Sequence, residues 1–267
     1  MKLTKSDIET LKRVSLLNDN LLIRKGSKKV MSITPMKTVL FVGELSDVPS
    51  YEYDLSLYSV SDLLWNLKFF DENFNLNLYV KKDKVEFFQT KFGKKKFVIE
   101  QADKSTLITP NTELEIDDLN YDFNLTKNII SLSHKLKNRF KELEIKFINQ
   151  DENTVEYNFT GYKGCNQKWS FRSNKKNEVR QNFPEDFRLI FTLNNLTKLK
   201  IRDYSVSVSP KNVSHFKSVS DNFYYWVALE PRSQFETKVK KDNSEEIIYL
   251  TNSIAKLQRQ LEELKVS

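Results

Sequence analysis

The chain has 267 residues, enough for two domains of ordinary size, and its 39% hydrophobic and 30% charged content excludes a disordered polymer and predicts a folded, soluble protein. Only five glycines are present and neither GxxxxGK[ST] nor GxGxxG occurs, so a glycine-rich phosphate loop is excluded. The single cysteine, Cys165, excludes an intrachain disulfide and fits a reducing compartment, while the net charge of +7 favours a polyanionic partner.

Taken in chain order, Thr4 or Ser6 can cap a first helix running to about Ser15, with Ile8, Leu11 and Val14 inward. Its opposite side carries Lys2, Ser6, Glu9 and Arg13, flanked by Lys5 and Lys12. Short strands are predicted at Leu21–Lys25, Lys29–Thr34 and Thr38–Glu44, then an amphipathic helix over Ser61–Phe70. Strands at Leu76–Val80, Val85–Thr90 and Lys95–Glu100 close a first domain. An acidic, turn-rich stretch from Asp103 to Tyr121 reads as a connector. A second long helix is expected over Thr126–Phe140, with Ile129, Leu132, Leu136 and Phe140 inward and Lys127, Ser131, His134, Lys135 and Asn138 outward. Strands follow at Glu142–Asn149, Thr154–Thr160 and Gln167–Arg172, and a short helix is expected near Leu193–Leu199, after Phe187–Thr192. The last strands are Ser205–Ser209, Val213–Val219 and Tyr224–Leu229.

The order of elements repeats. Leu3-Thr4-Lys5 and Leu125-Thr126-Lys127 each open a long helix, and Leu21–Lys25 and Leu143–Phe147 follow at the same distance. Tyr58–Leu63 aligns with Phe191–Leu196, and Lys81–Phe88 with Ser209–Phe216. A period of about 120 residues is the length of a whole domain and too long for a solenoid unit. The boundaries are therefore set at 1–102 for domain one, 103–121 for the connector, 122–236 for domain two and 237–267 for a linker and C-terminal helix.

No catalytic constellation is visible. His134 and His215 lie in different domains and outside any metal-binding spacing. Cys165 has no CxxC partner, and Gly161–Cys165 reads as a tight turn. Asp117-Asp118 and Glu245-Glu246 are adjacent pairs, whose side chains diverge on a helix or strand. No metal or cofactor is implied, no apolar run is long enough to span a bilayer, and the first seven residues lack the apolar segment of a signal peptide.

The opening Met1–Lys5 with its helix, Ser46-Asp47-Val48, Leu193–Lys200 and the closing Tyr225–Glu230 together resemble the sliding clamp of T-even-type bacteriophages, from Met1 to around Glu236. The resemblance implies an α+β DNA-clamp (processivity) fold: two duplicated domains with sheets outside and helices lining a homotrimeric ring around duplex DNA. It implies no enzymatic activity. The partners would be DNA of any sequence, a replicative DNA polymerase, an ATP-driven clamp loader and late-transcription factors, in the cytoplasm of an infected host cell.

Sequence-independent attraction to phosphate suits Lys and Arg on pore-lining helices. The candidates are Lys5, Lys12, Arg13, Lys68, Lys127, Lys135, Arg139, Lys198 and Lys200. By resemblance the strand near Lys95–Glu100 pairs with the strand near Lys168–Ser173 of a neighbouring copy. Phe97 and Ile99 share one face of the first, and Trp169 and Phe171 one face of the second. Carried over by position, Met36, Val227, Leu229 and Pro231 would line a partner-peptide cleft beneath the connector. The C-terminal Ile247, Leu250, Ile254, Leu257, Leu261 and Leu264 recur at heptad spacing, an extension outside the phage pattern. The competing reading is a duplicated β-rich DNA-binding accessory protein; a third is an assembly protein oligomerised by its heptads.

Overall fold

The structure is a computed structural model that describes residues 2–47, 52–70, 76–89, 95–149, 154–161, 168–173 and 187–235. The heptad positions Ile247, Leu250, Ile254, Leu257, Leu261 and Leu264, together with Cys165 and Val48, lie outside the described residues.

The first half contains β1 (Lys2–Leu3), α1 (Lys5–Leu17), β2 (Leu21–Ile23), β3 (Lys29–Ile33), β4 (Val39–Glu44), β5 (Leu55–Leu57), α2 (Val60–Leu67), β6 (Leu76–Val80), β7 (Lys84–Gln89) and β8 (Lys95–Glu100). A short 3-10 turn, Lys104–Thr106, begins the connector. The second half contains β9 (Tyr121–Leu125), α3 (Lys127–Leu136), β10 (Glu142–Asn149), β11 (Thr154–Thr160), β12 (Trp169–Ser173), β13 (Arg188–Thr192), α4 (Leu193–Leu196), β14 (Tyr204–Ser209), β15 (Val213–Ser218) and β16 (Phe223–Ala228). The two runs have the same order, and their pairings match. The sheet β1-β6-β7-β8 is repeated as β9-β14-β15-β16, the pair β2-β5 as β10-β13, and β3-β4 as β11-β12.

One antiparallel pairing joins the halves. β4 lies against β16 with Val39 opposite Val227, Phe41 opposite Tyr225 and Gly43 opposite Phe223. It fuses strands from both halves into one six-stranded sheet, β3-β4-β16-β15-β14-β9. Side chains alternate across this sheet. Val39, Phe41, Tyr225 and Val227 point to the helices and are completely buried; each such side chain contributes about 1.5 to 3 kcal/mol over leaving it in water. Leu40, Val42 and Trp226 point the other way, where Ile116 and Leu119 of the connector cover them. Helix α1 packs on β3, β4 and α2, and α4 packs on α3, β13 and β16.

The start of α1 shows why the local sequence folds this way. The Thr4 and Asp7 side chains form a capping box: the Thr4 backbone N–H donates to Asp7 Oδ2 at 2.7 Å and the Asp7 N–H donates to Thr4 Oγ1 at 3.2 Å. Asp7 is fully buried and its Oδ1 also accepts the Ser46 N–H at 2.7 Å, tying the helix start to the segment after β4. The second copy solves the same problem differently. Thr126 makes no side-chain cap, and the Lys127 N–H instead donates to Asp203 Oδ1 at 2.7 Å.

Several expectations are corrected. Three strands were not foreseen: β1 and β5 are too short to show a period, and β9 alternates polar and apolar residues but begins inside the span assigned to the connector. The second long helix stops at Leu136, and residues 137–139 form a turn. Its buried side is Ile129, Ile130 and Ser133, with Leu132 and Leu136 only partly covered. The alignment of Lys81–Phe88 with Ser209–Phe216 slips by one residue. Val85 is buried in the main core, whereas Val213 lies on the connector side of the sheet. Two residues separate the close pair Lys81 and Lys84 in the first hairpin, but three separate Ser209 from Val213 in the second. A one-residue slip sends each side chain to the opposite face.

Replacing Asp7 with Ala strands the Ser46 and Thr4 amides and should cost about 2 to 3 kcal/mol of stability. Urea denaturation of the variant beside the parent chain checks this.

Candidate nucleic-acid interface

The four helices share one side of the molecule, and the side chains they leave outside are mostly polar or cationic. Lys5 opens α1, Lys127 opens α3 and Lys68 caps the C-terminus of α2, all three exposed. Lys12 and Lys135 are exposed on the outer faces of α1 and α3. Lys12 also holds Glu9 at 2.7 Å, a contact that keeps the Glu9 carboxyl below its usual range. These pairs are solvent-exposed, so each fixes little and leaves the lysine able to exchange partners.

Arg13, Lys198 and Lys200 differ from the free, outward cations that the sequence pattern predicts. The Arg13 and Lys200 side chains are only 16% and 17% exposed. Both border a hollow of about 280 Å³ at the junction of the halves, lined also by Lys5, Glu9, Glu44, Asp221 and Phe223. Arg13 lies 3.5 Å from Glu9, and Lys200 lies 3.7 Å from Asp221 and 5.7 Å from the centre of the Phe223 ring. Burial, and then the neighbouring Arg13, pushes the Lys200 ammonium below its ordinary value. Lys198 donates to the Leu16 carbonyl at the end of α1, at 3.0 Å. That helix has no basic residue in its own last turn, and Lys198 supplies the cation its C-terminal dipole favours. Arg139 is exposed but sits in the turn after α3, with its N–H on the Leu136 carbonyl at 2.9 Å.

Lys137 was missed. A helical wheel carried to Phe140 puts it beside the inner face, yet the helix has ended, and Lys137 is exposed at its C-terminal cap. Arg202, exposed and 3.3 Å from Asp221, was missed because nothing periodic marks the loop between α4 and β14.

Both strands expected to meet a neighbouring copy are sheet edges: β8 ends one four-stranded sheet and β12 ends the other. Phe97, Ile99 and Phe171 are half-buried against the main core, and Trp169 is 43% exposed. The expected peptide cleft is corrected. Val227 and Leu229 are core residues, Met36 is 82% exposed at the hairpin between β3 and β4, and Pro231 is exposed, so two of the four side chains are withheld from any cleft. The strand parity decides this, since the apolar surface beneath the connector belongs to Leu40, Val42 and Trp226. Among the described residues, no group of three or more His, Cys, Asp or Glu side chains could hold a metal ion.

The arrangement has close counterparts among solved structures. A crystal structure of proliferating cellular nuclear antigen from Entamoeba histolytica superposes with a TM-score of 0.62 at 14% identity, over 84% of this chain and 94% of that one. The PCNA2–PCNA3 complex from Sulfolobus tokodaii gives 0.60 at 11% identity, over 86% of this chain and 98% of its counterpart. The chain has the DNA sliding-clamp fold. No protein-family model and no curated protein matches the sequence. At such low identity the likeness lies in the backbone, so the side chains must carry any functional argument.

Burial lowers the pKa of both His134 and His215 below the ordinary 6.5. A lowered folded-state value means that the unfolded chain binds protons first. Stability from these groups is therefore present above pH 6.5 and lost as pH falls through the folded values. Both are partly buried; His134 Nε2 lies 3.1 Å from the Leu199 carbonyl. His134→Gln should flatten the fall in melting temperature between pH 7 and pH 5, read by calorimetry.

Proposed function

We propose that this protein is a DNA sliding clamp, a ring of identical subunits that encircles duplex DNA and tethers a polymerase without chemistry of its own. The observation that carries the reading is the seam between β4 and β16. In the repeat β12 is the counterpart of β4, and β8 is the counterpart of β16. Among the described residues the chain satisfies one such pairing internally and leaves its counterpart open as two edges, β8 and β12. Within one chain these edges belong to different sheets; between copies they can pair as β4 and β16 do. Phe97 and Ile99 correspond to Tyr225 and Val227, so their partners would be the inward residues of β12, Trp169 and Phe171. Edge strands without partners are liabilities that a closed ring removes.

The number three follows from the resemblance to T-even phage clamps, as do the replicative polymerase, the ATP-driven loader, late-transcription factors and the cytoplasm of an infected host cell. The boundaries at 102, 121 and 236 belong to the same reading, with β9 starting at Tyr121. Within such a ring the helices face DNA. Lys5, Lys12, Lys68, Lys127 and Lys135 are the exposed cations for sliding along phosphates, while Arg13, Lys198 and Lys200 hold the junction that positions them.

The interface strands lie in the body of the chain, so deletion of Asn243–Ser267 should leave the ring intact. Light scattering on a chain ending at Thr237 should give a trimeric mass. A monomeric mass at micromolar concentration, with tight binding to linear DNA, would favour the duplicated DNA-binding module instead. Changing Lys5, Lys12, Lys127 and Lys135 together to Glu should abolish clamp-dependent processive synthesis with the ring mass unchanged. Normal processivity would remove these residues from the DNA path.

A further inference from the structure

Trp65 and Phe69 form an edge-to-face pair, centroids 4.8 Å apart, at the C-terminal end of α2. They are 56% and 60% exposed, a large apolar surface to leave in water on a side otherwise mostly polar or cationic. The internal repeat says what covers them. Helices α2 and α4 are counterparts, and their N-caps Ser59 and Thr192 fix the register. Six residues beyond each cap stand Trp65 and Lys198. Lys198 reaches the carbonyl of Leu16 at the end of α1. The counterpart of α1 is α3, with caps Thr4 and Thr126, so the position matching Leu16 is Asn138, between Lys137 and Arg139.

We propose that Trp65 and Phe69 are a docking surface for a second copy of this chain, seated on the exposed turn Lys137–Arg139 that follows its α3. The chemistry of the two junctions is complementary. α1 ends without a cation of its own and receives one from Lys198. α3 ends with His134 and Lys135 in its last turn, followed by exposed Lys137 and Arg139. An aromatic face attracts a guanidinium, and here it stands beside exposed Lys68 and the Lys95 ammonium, which lies 3.2 Å from the Phe69 carbonyl. The repeat thus exchanges a cation for an aromatic pair where the opposing helix end already carries cations. Arg139 accordingly belongs to the subunit junction rather than to the DNA path.

This inference rests on the ring reading and is separable from it. The assay is light scattering over a dilution series of the full chain, compared with the double variant Trp65→Ala/Phe69→Ala. Both side chains are exposed in the single chain, so far-UV circular dichroism should be unchanged. The dissociation constant of the ring should rise about tenfold or more. A second variant tests the partner: Trp65→Arg should dissociate the ring, and adding Arg139→Glu should restore it. If the parent chain is oligomeric and Trp65→Ala/Phe69→Ala dissociates at the same concentration, the aromatic contact is wrong and the ring stands. The same holds if that variant loses DNA affinity instead, which would place the aromatic pair against nucleic acid. If the parent chain is monomeric throughout, the ring itself fails.

Discussion

A β-strand at the edge of a sheet leaves a row of backbone donors and acceptors without partners, and the architecture of this chain is governed by how that constraint is met. Between the halves it is met by β4 and β16, whose five register pairs make one sheet from two repeats. Phe41 and Tyr225, at ring-centroid distance 5.2 Å, seal the helical side of that seam. Leu40, Val42 and Trp226 seal the other side under the connector. The helices are positioned by the same seam, because α1 packs on β4 and α4 packs on β16. The side facing DNA in the proposed ring is therefore a consequence of strand pairing rather than an independent feature.

The charges on that side divide into two kinds by solvent access. Lys5, Lys12, Lys127 and Lys135 remain exposed, where attraction to phosphate is weak per residue, screened by salt and indifferent to sequence. Such contacts suit a protein that must hold DNA and still move along it. Arg13, Lys198 and Lys200 are spent on the protein itself, on Glu9, the end of α1 and Asp221 respectively. A cation committed to a partly buried carboxylate or carbonyl is a poor sliding contact, since leaving that partner costs more than a surface ion pair returns. The two groups look identical on a helical wheel.

The repeat was legible because helix caps and apolar spacing are local. Thr4 and Thr126 announce their helices, and the order of strand and helix that follows agrees with the structure over most of both halves. Where the reading failed, the deciding contact lay elsewhere in the chain. Asp7 looks like one more acidic residue in a first turn, but Ser46 converts it into a buried anchor. Val227 looks like a plausible cleft residue, but its parity on β16 points it into the core. The hairpin before β15 is one residue longer than its counterpart, and that reversed the facing of an alignment that looked sound.

By itself the sequence determined the duplication, the α+β class, the absence of a recognisable catalytic motif and the excess of positive charge. Each depends on residue identity or short-range periodicity, which chain folding does not alter. The tertiary structure alone decided which cations are exposed and which are tied down, that β8 and β12 end their sheets among the described residues, and which face of each strand meets the helices. Those properties are set by pairings between residues up to 188 positions apart, such as Val39 and Val227, and no local pattern encodes them.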